Sequence, residues 1–264
     1  MKNIILLLIL VLSINCRSKT IQDSIPNHTT YTVDSKILNE ERIINVWIPE
    51  GYESKSIPVL YMPDGGINED FPHIANTLDK LIKEGKIKPI FLVGIANTVR
   101  RRDLSGFTKV ASDKKIAKEV GGSSKFREFI QKELFPLIQE KYNPQVDKGI
   151  IGESLAGYFV VETFFEQPEL FDFYIAMDPS IWWNDHYIVR NAEAKLSENH
   201  QNKTLWFAGS NAKDINKYTN QLKNIFLKKS ISNLKWKYED EKNEEHNTIF
   251  RATKEKALVW TLNQ

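Results

Sequence analysis

Short β-rich runs alternate with longer amphipathic segments along almost the whole chain, and this alternation limits the fold more than any other feature. The β-rich runs are Ile43 to Ile48, Ile57 to Met62, Ile90 to Ile95, Gly149 to Gly152, Phe173 to Met177, Thr204 to Ala208 and Leu234 to Tyr238. Helix-like stretches lie between and after them, at Pro72 to Lys83, Ser123 to Tyr142, Leu155 to Glu166, Asp214 to Lys228 and Thr248 to Leu262. Within the second stretch, Phe126, Phe129, Ile130, Leu134, Leu137 and Ile138 recur at helical spacing. The pattern predicts an α/β fold, a mostly parallel sheet with helices on both faces. The first two runs, separated by the Pro49 to Lys55 loop, are expected to open the sheet as an antiparallel hairpin. A chain of 264 residues that is 41% hydrophobic can bury one sizeable core, so residues 31–264 read as a single domain.

The first sixteen residues differ from the rest. Lys2 precedes an apolar run from Ile4 to Leu12, too short to span a bilayer as a helix, which reads as an export signal. Cys16 is the only cysteine, so no disulfide can form within the chain. The region resembles a bacterial lipoprotein signal, which implies acylation of Cys16 and a membrane-anchored protein facing the periplasm or cell exterior; Asn15 departs from the small residue expected before that cysteine. Residues 17–30 are polar, contain Pro26, and are expected to be a tether.

The chemistry concentrates at Gly149-Ile150-Ile151-Gly152-Glu153-Ser154-Leu155-Ala156-Gly157-Tyr158, where an apolar strand ends and a helix begins with a serine at the junction. Such a nucleophile elbow needs small side chains two residues before and after the serine, so that Oγ projects clear of the backbone, and Gly152 and Ala156 meet that demand. A serine that merely caps a helix is the plain alternative. The elbow also sets the Leu155 N–H at a helix start, where it can donate to an oxyanion.

A serine hydroxyl needs a base, and imidazole has a suitable pKa. Of the five histidines, His28 and His73 precede the serine, and His186 and His200 precede the strand at Thr204 to Ala208. His246, in a polar loop after the last strand, fits the α/β-hydrolase order of Ser, acid, His. The orienting acid is expected just beyond Thr204 to Ala208, where Asp214 is the candidate; Asp240, Glu244, Glu245, or a Ser/His pair without an acid, are alternatives. Asp214 could equally serve the start of its helix. A second oxyanion donor is expected at Gly65 in Asp64-Gly65-Gly66, although Asp-Gly-Gly is also an ordinary turn.

Five stretches together resemble the esterases of the α/β-hydrolase class related to enterochelin esterase: Tyr61 to Gly66, Gly94 to Leu104, Phe126 to Tyr142, Gly152 to Gly157, and Asp178-Pro179-Ser180-Ile181-Trp182-Trp183. The resemblance covers nearly the whole mature chain. It implies an α/β-hydrolase fold and hydrolysis of carboxylic esters, often of siderophores or acylated sugars, with Ser154 and His246 as nucleophile and base. The family commonly has His where Glu153 stands and Gly where Ala156 stands. The third triad member varies among its relatives. The same resemblance brings Arg100, Asp103, Trp182 and Trp183 near the substrate pocket, although an Arg100–Asp103 ion pair and tryptophans that serve only as wall or core are equally physical.

A formal net charge of +2, spread along the chain, gives no case for nucleic acid as a partner. No Cys/His cluster has metal-ligand spacing, and the chemistry requires no cofactor. The partner is expected to be a small-molecule ester, with membrane contact only through the N-terminal lipid. Two other readings stand beside a broad esterase. A catecholate siderophore esterase demands a basic pocket, and an inactive hydrolase-like lipoprotein that binds a ligand or partner demands a misaligned Ser154 and His246.

Overall fold

The computed structural model describes residues 23–264. The export signal, Cys16 and the first part of the expected tether lie outside the described residues. The tether's remainder is not free of the domain. Asp23 pairs with Arg251, the Asn76 side chain donates to the Ser24 carbonyl at 2.8 Å, and the His28 ring meets Phe71 edge-on. Thr29 and Thr30 already belong to a strand, so the folded unit begins before residue 31.

One eight-stranded sheet organises the molecule, in the order β1-β2-β4-β3-β5-β6-β7-β8. Its strands are β1 (Thr29–Ser35), β2 (Glu40–Trp47), β3 (Val59–Pro63), β4 (Phe91–Ile95), β5 (Lys148–Glu153), β6 (Phe173–Met177), β7 (Thr204–Gly209) and β8 (Lys235–Asp240). From β4 through β8 every pairing is parallel, while β1 with β2 and β2 with β4 are antiparallel. The expected hairpin of the second and third strands does not form. β2 pairs instead with β1, and on its other side with β4. Strand β1, TTYTVDS, went unread because it is a largely exposed edge strand in which only Tyr31 and Val33 are apolar.

Alternate residues of the central strands feed two cores, as the two-residue period of a strand requires. Tyr61, Ile150, Tyr174 and Phe207 point into one, covered by α4 (Ser123–Phe129), α5 (Phe135–Tyr142), α6 (Ser154–Glu166), α7 (Trp183–Lys195) and α8 (Lys213–Lys228). Leu60, Ile151, Ile175 and Trp206 point into the other, covered by α1 (Phe71–Lys83) and α9 (Ile249–Leu262). Burying each leucine, isoleucine or phenylalanine among them contributes about 1.5–3 kcal/mol. This is an α/β-hydrolase fold.

The expected Ser123 to Tyr142 helix is continuous but not uniform, since Ile130–Leu134 is a π-helical turn between α4 and α5. Pro136 explains it. The residue has no N–H and its ring crowds the carbonyl four residues back, a conflict relieved by widening the turn. The Phe135 N–H accordingly reaches the Ile130 carbonyl. Two short helices went unread, α2 (Arg100–Leu104) and α3 (Asp113–Ile116), being too brief to show a period.

The loop after β3 lies flat on β4. A Cβ on Gly94 would stand 2.5 Å from the Gly65 carbonyl oxygen and 2.6 Å from the Phe71 ring. We therefore expect Gly94→Ala to lose about 1–3 kcal/mol of stability, read as a lower urea midpoint with an unchanged m-value.

Candidate active site

Ser154 sits where β5 turns into α6, and its backbone is left-handed, with φ of 57°. A non-glycine residue held there is strained, and its neighbours must leave room for the turn. They do: a Cβ on Gly152 would approach the Ala156 backbone to 2.6 Å, and one on Gly157 would approach the Met177 carbonyl to 2.8 Å. The methyl of Ala156 has room because it faces Gly152, where a Cβ would stand 2.8 Å from it. This is an elbow rather than an ordinary capped helix. Ser154 Oγ lies 2.9 Å from His246 Nε2 and 3.4 Å from Ser180 Oγ.

His246 lies in the loop between β8 and α9, and its Nδ1 is 2.5 Å from Asp178 Oδ2. Asp178 is fully buried just past the end of β6. Its Oδ1 accepts the Ser210 N–H at 2.6 Å, and its Oδ2 accepts the Ser210 hydroxyl at 2.7 Å. With those donors already in place, the His246 contact needs its proton on Nδ1, which leaves the Nε2 lone pair facing Ser154. The Asp178 bond, opposed by partial burial and helped by Glu153, raises the His246 pKa above the ordinary 6.5.

Asp214, the expected acid, is a correction. It stands exposed in the first turn of α8, and the carboxylate on His246 is that of Asp178. Both residues fall between Ser154 and His246 in the chain, so order alone does not separate them. The usable signal was a carboxylate directly at the C-terminal end of β6, the strand next to the one that leads into Ser154.

Gly65 is a second correction. Its N–H donates to the Ile95 carbonyl at 3.0 Å, as the loop's close seat on β4 demands, and is not available to an oxyanion. The neighbouring Gly66 N–H donates to Glu69 Oε2 at 2.7 Å. Leu155 N–H lies in the first turn of α6, where backbone donors have no intrahelical partner.

Arg100 does not pair with Asp103. Its guanidinium binds Asp64 through two bonds, Nε to Oδ1 at 2.6 Å and Nη2 to Oδ2 at 2.7 Å. Asp103 is instead buried against Arg42 of β2, 2.6 Å away, which holds α2 against that strand, and also meets Arg102. Trp183 is buried, and its indole N–H donates to the Gly106 carbonyl at 2.9 Å, the geometry of a wall rather than of a ligand contact. Trp182 is half-buried and packs at an angle on Trp183, with ring centroids 6.0 Å apart.

Glu153 was noted in the sequence only as a departure. Its Oε1 lies 3.7 Å from His246 Nε2, on the reacting side of the imidazole. Burial pushes its pKa up to about 8, with Asp70 and Asp178 adding to the rise and His246 and Arg100 opposing it. Asp70, at the start of α1, is raised to about 6, first by burial and then by Asp64. Among the described residues, no group of three or more His, Cys, Asp or Glu side chains could hold a metal ion, and no helix is long and apolar enough to cross a membrane.

Comparison with known proteins bears on the family and the fold. The ferri-bacillibactin esterase BesA of Bacillus subtilis is 29% identical over 192 residues, 60% of this chain and 61% of that protein. The siderophore enterobactin esterase of Emericella nidulans is 36% identical over 80 residues, 29% of this chain and 26% of that protein. The chain thus spans less than two thirds of the length of these curated relatives. Among solved structures, the BES protein from Bacillus cereus matches with a TM-score of 0.79 at 21% identity, covering 90% of this chain and 97% of that one. The IroE-like serine hydrolase from Shewanella oneidensis matches with a TM-score of 0.82 at 22% identity, covering 90% and 80%. At these identities the structural likeness speaks for the fold. The family model described as "Putative esterase" matches residues 35–262, nearly the whole of the described chain, and this protein therefore belongs to that esterase family of α/β-hydrolases related to the siderophore esterases.

Proposed function

We propose that the chain is a serine esterase that hydrolyses a small-molecule carboxylic ester through an acyl-enzyme. The observation that carries this reading is the unbroken contact line from Ser154 Oγ through the His246 ring to Asp178. His246 Nε2 takes the Ser154 proton as Oγ bonds to the acyl carbon, and the Leu155 N–H donates to the oxyanion. The bond to the alcohol then breaks and His246 returns its proton to the leaving oxygen. Water, deprotonated by the same nitrogen, attacks the acyl carbon, and Ser154 leaves with its proton restored. No metal enters this sequence of steps.

The relatives' names point to siderophore esters as the substrate class. A catecholate-specific site demands a basic pocket, and here Glu153 lies 3.7 Å from His246 Nε2, within the fields of Asp70 and Asp178, while Arg100 is already held by Asp64. That argues for an ester without dense negative charge at the scissile bond. An inactive binding protein predicts a misaligned serine and histidine, and the 2.9 Å separation argues against it. Export and a lipid anchor on Cys16 complete the proposal and rest on the N-terminal sequence alone.

The pH profile of ester hydrolysis tests the assignment of His246. The base must be neutral to accept a proton, so kcat/KM falls as pH drops through its pKa. Because Asp178 raises that pKa, the acid limb is expected to have its midpoint above 6.5. A p-nitrophenyl ester panel giving no turnover, with no labelling by a serine-directed phosphonate, would move the binding-protein reading ahead.

A further inference from the structure

Taking Ser154 and His246 as nucleophile and base, a reading on which this step rests, we propose that Glu153 sets specificity by selecting esters whose alcohol half carries a cationic ammonium group. The assignment follows from which side of the reaction Glu153 faces. His246 Nε2 is the atom that protonates the leaving oxygen, so the alcohol departs beside that nitrogen. Glu153 Oε1 lies 3.7 Å from the same nitrogen, whereas Asp178 is on the opposite side of the ring at Nδ1. Glu153 therefore borders the space the alcohol occupies and not the path that orients the imidazole.

Its carboxylate is free to act there. Among the described residues it accepts no hydrogen bond, and its only cationic neighbour within ion-pair distance is His246 itself. Arg100, whose field reaches it, is held by both oxygens of Asp64. The groups that face Glu153 from the surrounding elements are Asp70 at the start of α1, Arg100 on α2, Asp178 beyond β6 and His246 before α9. Two of these are carboxylates and one of the two cations is neutralised in place. An ammonium entering beside Glu153 draws the carboxyl into its ionised form and pairs with it; an anion there meets carboxylates on two sides.

The test uses three esters of one acyl group on the full chain, at a pH above about 8 so that Glu153 is ionised. The alcohols are choline, its neutral isostere 3,3-dimethylbutanol, and a carboxylate-bearing alcohol of similar length. Wild type is expected to prefer the choline ester over the neutral one by about tenfold in kcat/KM, with the carboxylate ester poorest. Glu153→Gln should bring the choline-to-neutral ratio to near one, and Glu153→Asp should keep part of it. The ratio is decisive because a residue that only positions His246 changes all three rates alike. An equal ratio in wild type and Glu153→Gln, or a wild-type preference for the neutral or anionic ester, overturns the proposal. Failure of the esterase reading looks different: no ester is hydrolysed by wild type. Choline binding by calorimetry then decides, since binding lost in Glu153→Gln keeps the cation site and equal or absent binding removes it.

Discussion

Ser154→Ala is expected to lower kcat for a p-nitrophenyl ester by on the order of 10⁴-fold or more, while its circular dichroism spectrum and thermal midpoint stay close to those of wild type. The loss follows from removing the only atom that can form the acyl-enzyme at the elbow. Ser180 Oγ, 3.4 Å from Ser154 Oγ, cannot replace it, because His246 Nε2 is directed at Ser154. Residual turnover would reflect the remaining oxyanion donor and substrate positioning acting on water. A tenfold change is about 1.4 kcal/mol of barrier, so the effect is about 5.5 kcal/mol. The fold should be indifferent because alanine keeps the Cβ that the left-handed turn already accommodates. Equal turnover in the two proteins would remove Ser154 as nucleophile.

Asp178→Asn is expected to cost about 10³–10⁴-fold in kcat, with Asp214→Asn within a few fold of wild type. The argument is about a proton rather than a contact. Asp178 accepts from Ser210 twice and from His246 Nδ1, so in every one of these contacts it is the acceptor. Asparagine can turn its oxygen to some of those donors but must present N–H to the rest. If the amide N–H faces Nδ1, the imidazole carries its proton on Nε2 instead, and that nitrogen can no longer accept from Ser154. Asp178→Asn should also lower the His246 pKa, moving any residual acid limb toward lower pH. Asp214 is exposed at a helix start, where losing its charge costs about 0.3–1 kcal/mol of stability through the helix dipole. A profile in which Asp214→Asn is the damaging change would restore the order inferred from the chain alone.

The comparison of these two aspartates also marks where sequence reasoning stops. The strand at β5, the helix at α6 and the serine between them were legible because an elbow is a local object: its steric demands fall on residues two and three positions away. His246 was legible because few histidines exist and only one follows the last strand. The parallel sheet was legible because strands buried on both faces leave continuous apolar runs, as in Phe91–Ile95 and Phe173–Met177. β1 was not, because an exposed edge strand need not carry such a run.

By itself, then, the sequence determined the α/β architecture and singled out Ser154 and His246, since each depends on periodicity or on near neighbours in the chain. Only the tertiary structure decided which carboxylate orients His246, which glycine N–H is already bonded, and what Arg100 holds. Those outcomes turn on approaches between distant residues. Asp178 and His246 are 68 positions apart, and Asp64 and Arg100 are 36. The local pattern shows that Asp178 directly follows a strand and Asp214 does not, but not which strand lies beside β5. The packing of β6 beside β5 decides between the two aspartates, because it brings the end of one strand beside Ser154 and leaves the other aspartate exposed on a helix.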